Sequence, residues 1–127
     1  WDAARGSLTT VQVIPMTDKP RPHYLTGGAD ILFDRTGQLA YAVDRFYGVI
    51  LMFSVSGEDG RLTELERVPC GGKIPRHFAL DPSGRWIVVA NQDSDNIAVF
   101  ARDVKTGKLD SNFKSYPLSK PQCLVFA

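Results

Sequence analysis

A repeat constrains this chain more than any other feature. The stretch "DRTGQLAYAVDRFYGVILMFSVSGEDGRL" (34–62) lies over "DPSGRWIVVANQDSDNIAVFARDVKTGKL" (81–109) without a gap, at a constant offset of 47 positions. The matched pairs include Asp34 with Asp81, Gly37 with Gly84, Ile50 with Ile97, Phe53 with Phe100, Gly60 with Gly107 and Leu62 with Leu109. A period of roughly 20–50 residues marks architectures built by arraying one small unit, because a single unit cannot bury its own apolar face.

Each copy divides into short strands. In the second, "HFAL" runs into "DPSG", where Pro suits the first central turn position and Gly tolerates positive φ. The β-branched run "RWIVVAN" follows, "QDSD" turns it, "NIAVFAR" returns, and "DVKTG" leads into "KLDSNFKSYPL". The expectation is an all-β fold of four-stranded, up-and-down antiparallel units. Because "WIVVA" and "IAVF" are nearly continuous in apolar residues, both faces of each sheet should be covered. A β-propeller blade meets these demands.

Partial copies flank the full ones. "SKPQCLVFA" lines up with "GKIPRHFAL" once one residue is skipped, pairing Pro121 with Pro75 and Gln122 with Arg76, while "DAARGSLTTVQVIP" repeats the pattern of "GEDGRLTELERVP". The predicted organisation is a partial propeller of about two to three blades. Residues 1–17 end a preceding blade, 25–68 and 73–118 form blades, and 119–127 form an inner closing strand. A closed propeller takes at least about four blades, so the expected partners are missing blades or a second copy.

Composition excludes several functions. With 15 Lys and Arg against 14 Asp and Glu, and no basic cluster, nucleic acid and anionic membranes are not expected partners. No apolar run approaches the ~18–20 residues of a membrane-spanning helix. The start, "WDAARGSLTT", has no initiating Met and no signal-peptide pattern, which suggests a processed chain or part of a longer one. Cys70 and Cys123 are widely separated with no CxxC spacing, so no metal site is expected. Free thiols fit a reducing compartment, and the location expected is cytoplasmic. "GGK" lacks the rest of a P-loop, and no GxSxG elbow is present. "DSDN" fails as a calcium loop, because Ala98 and Val104 stand where Gly and Glu are needed.

The segments "GGADILFDRTGQLAYAVDRFYGVILMFSV" and "GGKIPRHFALDPSGRWIVVANQDSDNIAVFARDVKTGKL" resemble the last blades of lactonase-type seven-bladed propellers. That group includes bacterial 6-phosphogluconolactonases and fungal carboxymuconate lactonizing enzymes. The likeness is most specific in "PRHFALDPSGRWIVVANQDSDNI", and "KPQCLVFA" resembles the family's closing strand. Seven blades need on the order of 300 residues, so the resemblance implies the C-terminal third of such a protein. It also implies hydrolysis of a phosphorylated sugar lactone, with a muconate-type cycloisomerase as the enzymatic alternative and a non-catalytic binding or scaffolding propeller as the other. Neither reaction needs a cofactor, and a fragment of the ring is expected to be inactive alone.

Propeller topology gathers "TGGAD" (26–30), "DRFYG" (44–48), "GGKIPRH" (71–77) and "NQDSD" (91–95) on one rim. Asp30, Arg45, Arg76, His77 and Asn91 are therefore the candidates to face a common funnel. Arg suits a small anionic lactone or carboxylate, because its planar fork holds phosphate or carboxylate through paired charge-assisted bonds. Lactone opening needs a base to activate water, and closure needs an acid. The resemblance puts an acidic residue at Asp30, the expected proton carrier. Arg76, Arg45 and Asn91 are expected to bind substrate, with Arg76 and His77 also in the catalytic set. Each has a plainer reading: Arg76 as a clamp on a neighbouring blade, Arg45 as a solvated loop charge, Asp30 as a strand-start cap, and His77 as a structural histidine. His23, beside Arg21 in "DKPRPHYLTGG", is either a flap or a long connection.

Overall fold

A computed structural model describes residues 2–17, 20 and 27–126. His23, Arg21 and Thr26 lie outside the described residues. Two four-stranded antiparallel sheets follow one another along the chain, each with its strands in sequence order. The first holds β1 (Gly28–Phe33), β2 (Leu39–Asp44), β3 (Val49–Val55) and β4 (Leu62–Pro69). The second holds β5 (Pro75–Leu80), β6 (Trp86–Asn91), β7 (Asn96–Ala101) and β8 (Lys114–Pro117), with a single 3-10 turn at Gln92–Ser94.

The repeated Asp and Gly make the repeated turn. Asp34 Oδ1 accepts the N–H groups of Gln38 and Leu39, and Asp81 Oδ1 accepts those of Arg85 and Trp86. Gly37 and Gly84 then bond back to the Asp carbonyls at φ +70° and +72°, a left-handed conformation that costs glycine little. An acidic side chain thus takes over main-chain donors that the turn would leave open, and the hairpin register follows.

Alternation along the strands sends side chains to two faces. Tyr41, Val43, Ile50 and Met52 from the first sheet pack against Phe78, Ile87, Val89, Ala98 and Phe100 from the second, all buried. Burying a large apolar side chain contributes roughly 1.5–3 kcal/mol, so this inter-sheet layer is the main cohesive element. The opposite face of the first sheet presents Ala40, Ala42, Leu51 and Phe53, partly covered by Ile14 and Met16 from the N-terminal segment. The opposite face of the second leaves Val88, Ile97 and Val99 only half-buried. Coverage on both faces, expected from the apolar runs, is thus complete only between the two sheets.

One buried polar network joins the sheets at the end of the blades opposite the strand β1 entry. Arg102 Nε donates to Tyr41 Oη at 2.7 Å, Nη1 to the Gly84 carbonyl at 2.9 Å, and Nη2 to Asp34 Oδ2 at 3.3 Å. Tyr41 in turn donates to the Gly107 carbonyl at 2.7 Å. The arginine and aspartate side chains are 3% and 8% exposed, and the guanidinium lies 5.6 Å from the Tyr41 ring centroid.

The outermost strand of the second sheet is shorter than "KLDSNFKSYPL" predicts. Leu109 turns inward to join the core, forming an isolated bridge with Arg102, and regular pairing begins only at Lys114. Residues 119–126 form no regular strand. Their place beside the second sheet is marked by Leu118 N–H donating to the Asp95 carbonyl and Lys120 N–H to Asp95 Oδ1.

Candidate functional site

The innermost strands β1 and β5 adjoin, and each opens with the same irregularity. Gly28 pairs with Asp44 and Asp30 with Val43, which leaves Ala29 bulged; Pro75 pairs with Asn91 and His77 with Ala90, which leaves Arg76 bulged. A bulge bends the strand and re-aims the side chains around it. Asp30 and His77 follow these bulges at equivalent repeat positions, and the two side chains meet. Asp30 Oδ2 lies 3.6 Å from His77 Nε2, with the side chains 31% and 30% exposed.

Both members of the pair are held from behind. Asp30 Oδ1 accepts the Ile31 N–H at 2.8 Å, and His77 Nδ1 accepts the Leu124 N–H at 3.2 Å. They look into a cleft of about 490 Å³ whose walls include Leu32, Arg35, Leu80 and Asp81. A carboxylate and an imidazole in contact at a partly wetted cleft can bind and transfer a proton.

Arg76 is exposed on its bulge, and no ion pair or hydrogen bond engages its guanidinium among the described residues. Arg45 sits at the β2–β3 turn, where its N–H donates to the Gly27 carbonyl at 2.6 Å. Among the described residues its buried Nε has no hydrogen-bond partner, and Arg45 lines a second cleft of about 440 Å³. Tyr47, Lys73, Ile74 and Asp93 also line that cleft. A guanidinium beside such a cleft suits a small anion.

Asn91 lies deeper than its place before the turn suggests. It stands at the end of β6 but is fully buried, its Nδ2 donating to the Cys70 carbonyl at 3.1 Å, and Gly72 packs against it so closely that an added Cβ would lie 2.6 Å away. A side chain so enclosed supports the rim from beneath and does not present its amide to solvent. Its counterpart in the first sheet, Asp44, is likewise buried and caps the turn through the Phe46 and Tyr47 N–H groups. That equivalence was visible in the repeat and points to structure.

Lys73 escaped the sequence reading. It is followed by Ile74 at φ +54°, a left-handed conformation that costs a β-branched residue of order 1–3 kcal/mol. Three bonds hold it there: Lys73 N–H to Ser94 Oγ at 2.8 Å, Gln92 N–H to the Ile74 carbonyl at 3.0 Å, and Asp93 N–H to the Lys73 carbonyl at 3.1 Å. No sequence signal announces positive φ at an isoleucine before proline.

A third cleft, about 670 Å³ and mostly apolar, opens between the N-terminal segment and the first sheet, lined by Val11, Ile14, Met16, Phe53 and Leu62. Among the described residues no cluster of three or more His, Cys, Asp or Glu is placed to hold a metal, and no helix is long and apolar enough to cross a membrane. Cys70 is buried and Cys123 exposed, both free.

Comparison with known proteins settles the architecture. The family model of the lactonase, 7-bladed beta-propeller, matches residues 1–126. The chain belongs to this lactonase family. It is 45% identical over 83 residues to a 6-phosphogluconolactonase of Formosa agariphila, covering 64% of this chain and 24% of that protein. It is 31% identical over 126 residues to a 6-phosphogluconolactonase of Bacillus subtilis, covering 99% of this chain and 36% of that protein. Among solved structures, a protein from Lactobacillus plantarum matches at TM-score 0.82 and 30% identity over 97% of this chain and 36% of that one. The periplasmic gluconolactonase of Pseudomonas aeruginosa matches at TM-score 0.73 and 30% identity over 82% and 30%. The chain thus spans about a third or less of the length of these relatives.

Proposed function

We propose that this chain supplies the C-terminal blades of a lactonase-family enzyme that hydrolyses a phosphorylated sugar lactone. The observation that carries the reading is the Asp30–His77 contact at the adjoining inner strands, 3.6 Å apart and open to a cleft. The relatives named 6-phosphogluconolactonase supply the substrate class. Lactone opening calls for three things: a proton acceptor for the attacking water, a cation for the phosphate, and donors for the developing oxyanion. Asp30 with His77 supplies the first. Arg76, exposed on its bulge, and Arg45, beside the second cleft, supply the second. Asn91 acts only through the rim it supports.

The remaining blades are part of this proposal. The apolar cleft beside Ile14 and Met16, and the half-exposed face of Val88, Ile97 and Val99, are the two surfaces on which neighbouring blades would pack. Turnover is therefore expected of the assembled propeller. With both cysteines free, the cytoplasm is the proposed location.

The test is 6-phosphogluconolactone hydrolysis by the full propeller carrying these blades, with and without Arg76→Ala. Losing a charge-assisted bond to the phosphate should lower kcat/KM by ~10–100-fold, at an unchanged urea midpoint. An assembled propeller without lactone turnover would instead support a binding module, and turnover indifferent to Arg76→Ala would remove Arg76 from the phosphate site.

A further inference from the structure

A neutral imidazole has one N–H donor and one acceptor nitrogen, and its neighbours decide which is which. In His77 the assignment is forced from one side. The main-chain N–H of Leu124 can only donate, and it faces Nδ1 at 3.2 Å. Nδ1 must therefore hold the lone pair, and the proton resides on Nε2, which faces the Asp30 carboxylate at 3.6 Å. The other tautomer would set N–H against N–H at Leu124 and a lone pair against a carboxylate at Asp30.

We propose that the Leu124 main-chain N–H is a positioning group that locks His77 as its Nε2–H tautomer. Asp30 is then the proton acceptor of this wall, and His77 the donor that orients it. This divides two roles that the residue types alone leave open, and its catalytic half rests on the lactonase reading above. His77 in this state has no free lone pair for water, because the only one is taken by Leu124. Asp30 keeps acceptor capacity: one oxygen is anchored by Ile31, and the other faces both the imidazole and the cleft. The lock comes from a segment with no regular strand of its own, 47 positions after the residue that it sets. Arg35 and Asp81 are the other charged groups on the cleft wall, and neither is bonded to the imidazole.

The experiment is nitrogen-15 NMR of the imidazoles at neutral pH, with a His23→Gln background that leaves His77 as the single histidine. The expected spectrum has pyridine-type Nδ1 and pyrrole-type Nε2. In Leu124→Pro, which removes the N–H, the Nδ1–H form should rise several-fold, whereas Asp30→Ala should leave the tautomer in place. A dominant Nδ1–H form in the unmodified chain overturns the proposal. So does a folded Leu124→Pro variant with an unaltered spectrum; should that variant not fold, loss of the Nε2–H preference in Asp30→Ala overturns it instead. In the full propeller, kcat should fall by ~10²–10⁴-fold for Asp30→Asn, and by at least tenfold less for His77→Gln, whose amide can still accept from Leu124 and donate to Asp30. Equal losses would restore His77 as the base. Failure of the lactonase reading would look different: no lactone turnover in any variant, with the tautomer results intact.

Discussion

Replacing Arg102 by Met keeps most of the apolar stem and removes every donor from the network between the sheets. Three bonds disappear together: to Tyr41 Oη, to the Gly84 carbonyl and to Asp34. Breaking one side of a buried ion pair costs about 3–5 kcal/mol when the partner is left uncompensated. Here Asp34 keeps the Thr36 hydroxyl and the Gln38 and Leu39 N–H groups, and Tyr41 keeps its bond to Gly107. The Gly84 carbonyl loses its side-chain donor outright. The expected loss therefore sits at the low end, about 3 kcal/mol, read as a lower urea midpoint at unchanged m-value. A double-mutant cycle with Asp34→Asn should show a coupling of roughly 0.5–3 kcal/mol. A loss below about 1 kcal/mol, or additive single effects, would refute the idea that this network fastens the sheets.

Burial pushes the Tyr41 hydroxyl above its ordinary value, and the Arg102 bond and charge only partly offset this. The folded state thus favours the neutral phenol. Its contribution is full below pH ~10 and is lost as pH rises through the raised folded value, so the denaturation midpoint should fall there and fall less in Tyr41→Phe. Gly107→Ala should cost more than Gly37→Ala by urea unfolding. Both glycines lie at positive φ, but only at Gly107 would a Cβ meet Leu39 Cδ1 at 2.3 Å and Tyr41 Oη at 2.7 Å. A thiol reagent should modify Cys123 in the native chain and Cys70 only after denaturation, since Cys70 is buried and burial pushes its thiol up. Equal native rates, followed by mass spectrometry, would contradict the core placement.

What the sequence disclosed was set by what repeats. Asp34 and Asp81, Gly37 and Gly84 recur because each sheet needs the same turn, and the turn chemistry is local. Arg102 does not recur, since Val55 holds its place in the first copy, and its partners lie 61 and 68 positions away. A contact between units leaves no mark on the period. The candidate site divides in the same way. Asp30 and His77 occupy equivalent positions, so the topology that brings β1 beside β5 brings them together. The depth of Asn91 was not legible, because a polar residue before a turn looks like rim, whereas its burial depends on how closely Gly72 crosses above it. Lys73 went unnoticed because its setting depends on the left-handed Ile74, and only long-range bonds from the Gln92–Ser94 turn hold that conformation.

The paired bulges of β1 and β5 have a consequence for how such a protein changes over time. Each inner strand offers one slot just past its bulge, and the main-chain geometry of that slot is fixed before its occupant is chosen. Asp30 and His77 fill the two slots. An acid and an imidazole thereby stand as interchangeable letters at one position of the repeat. A single substitution there changes the chemistry of the cleft while the sheets around it stay untouched.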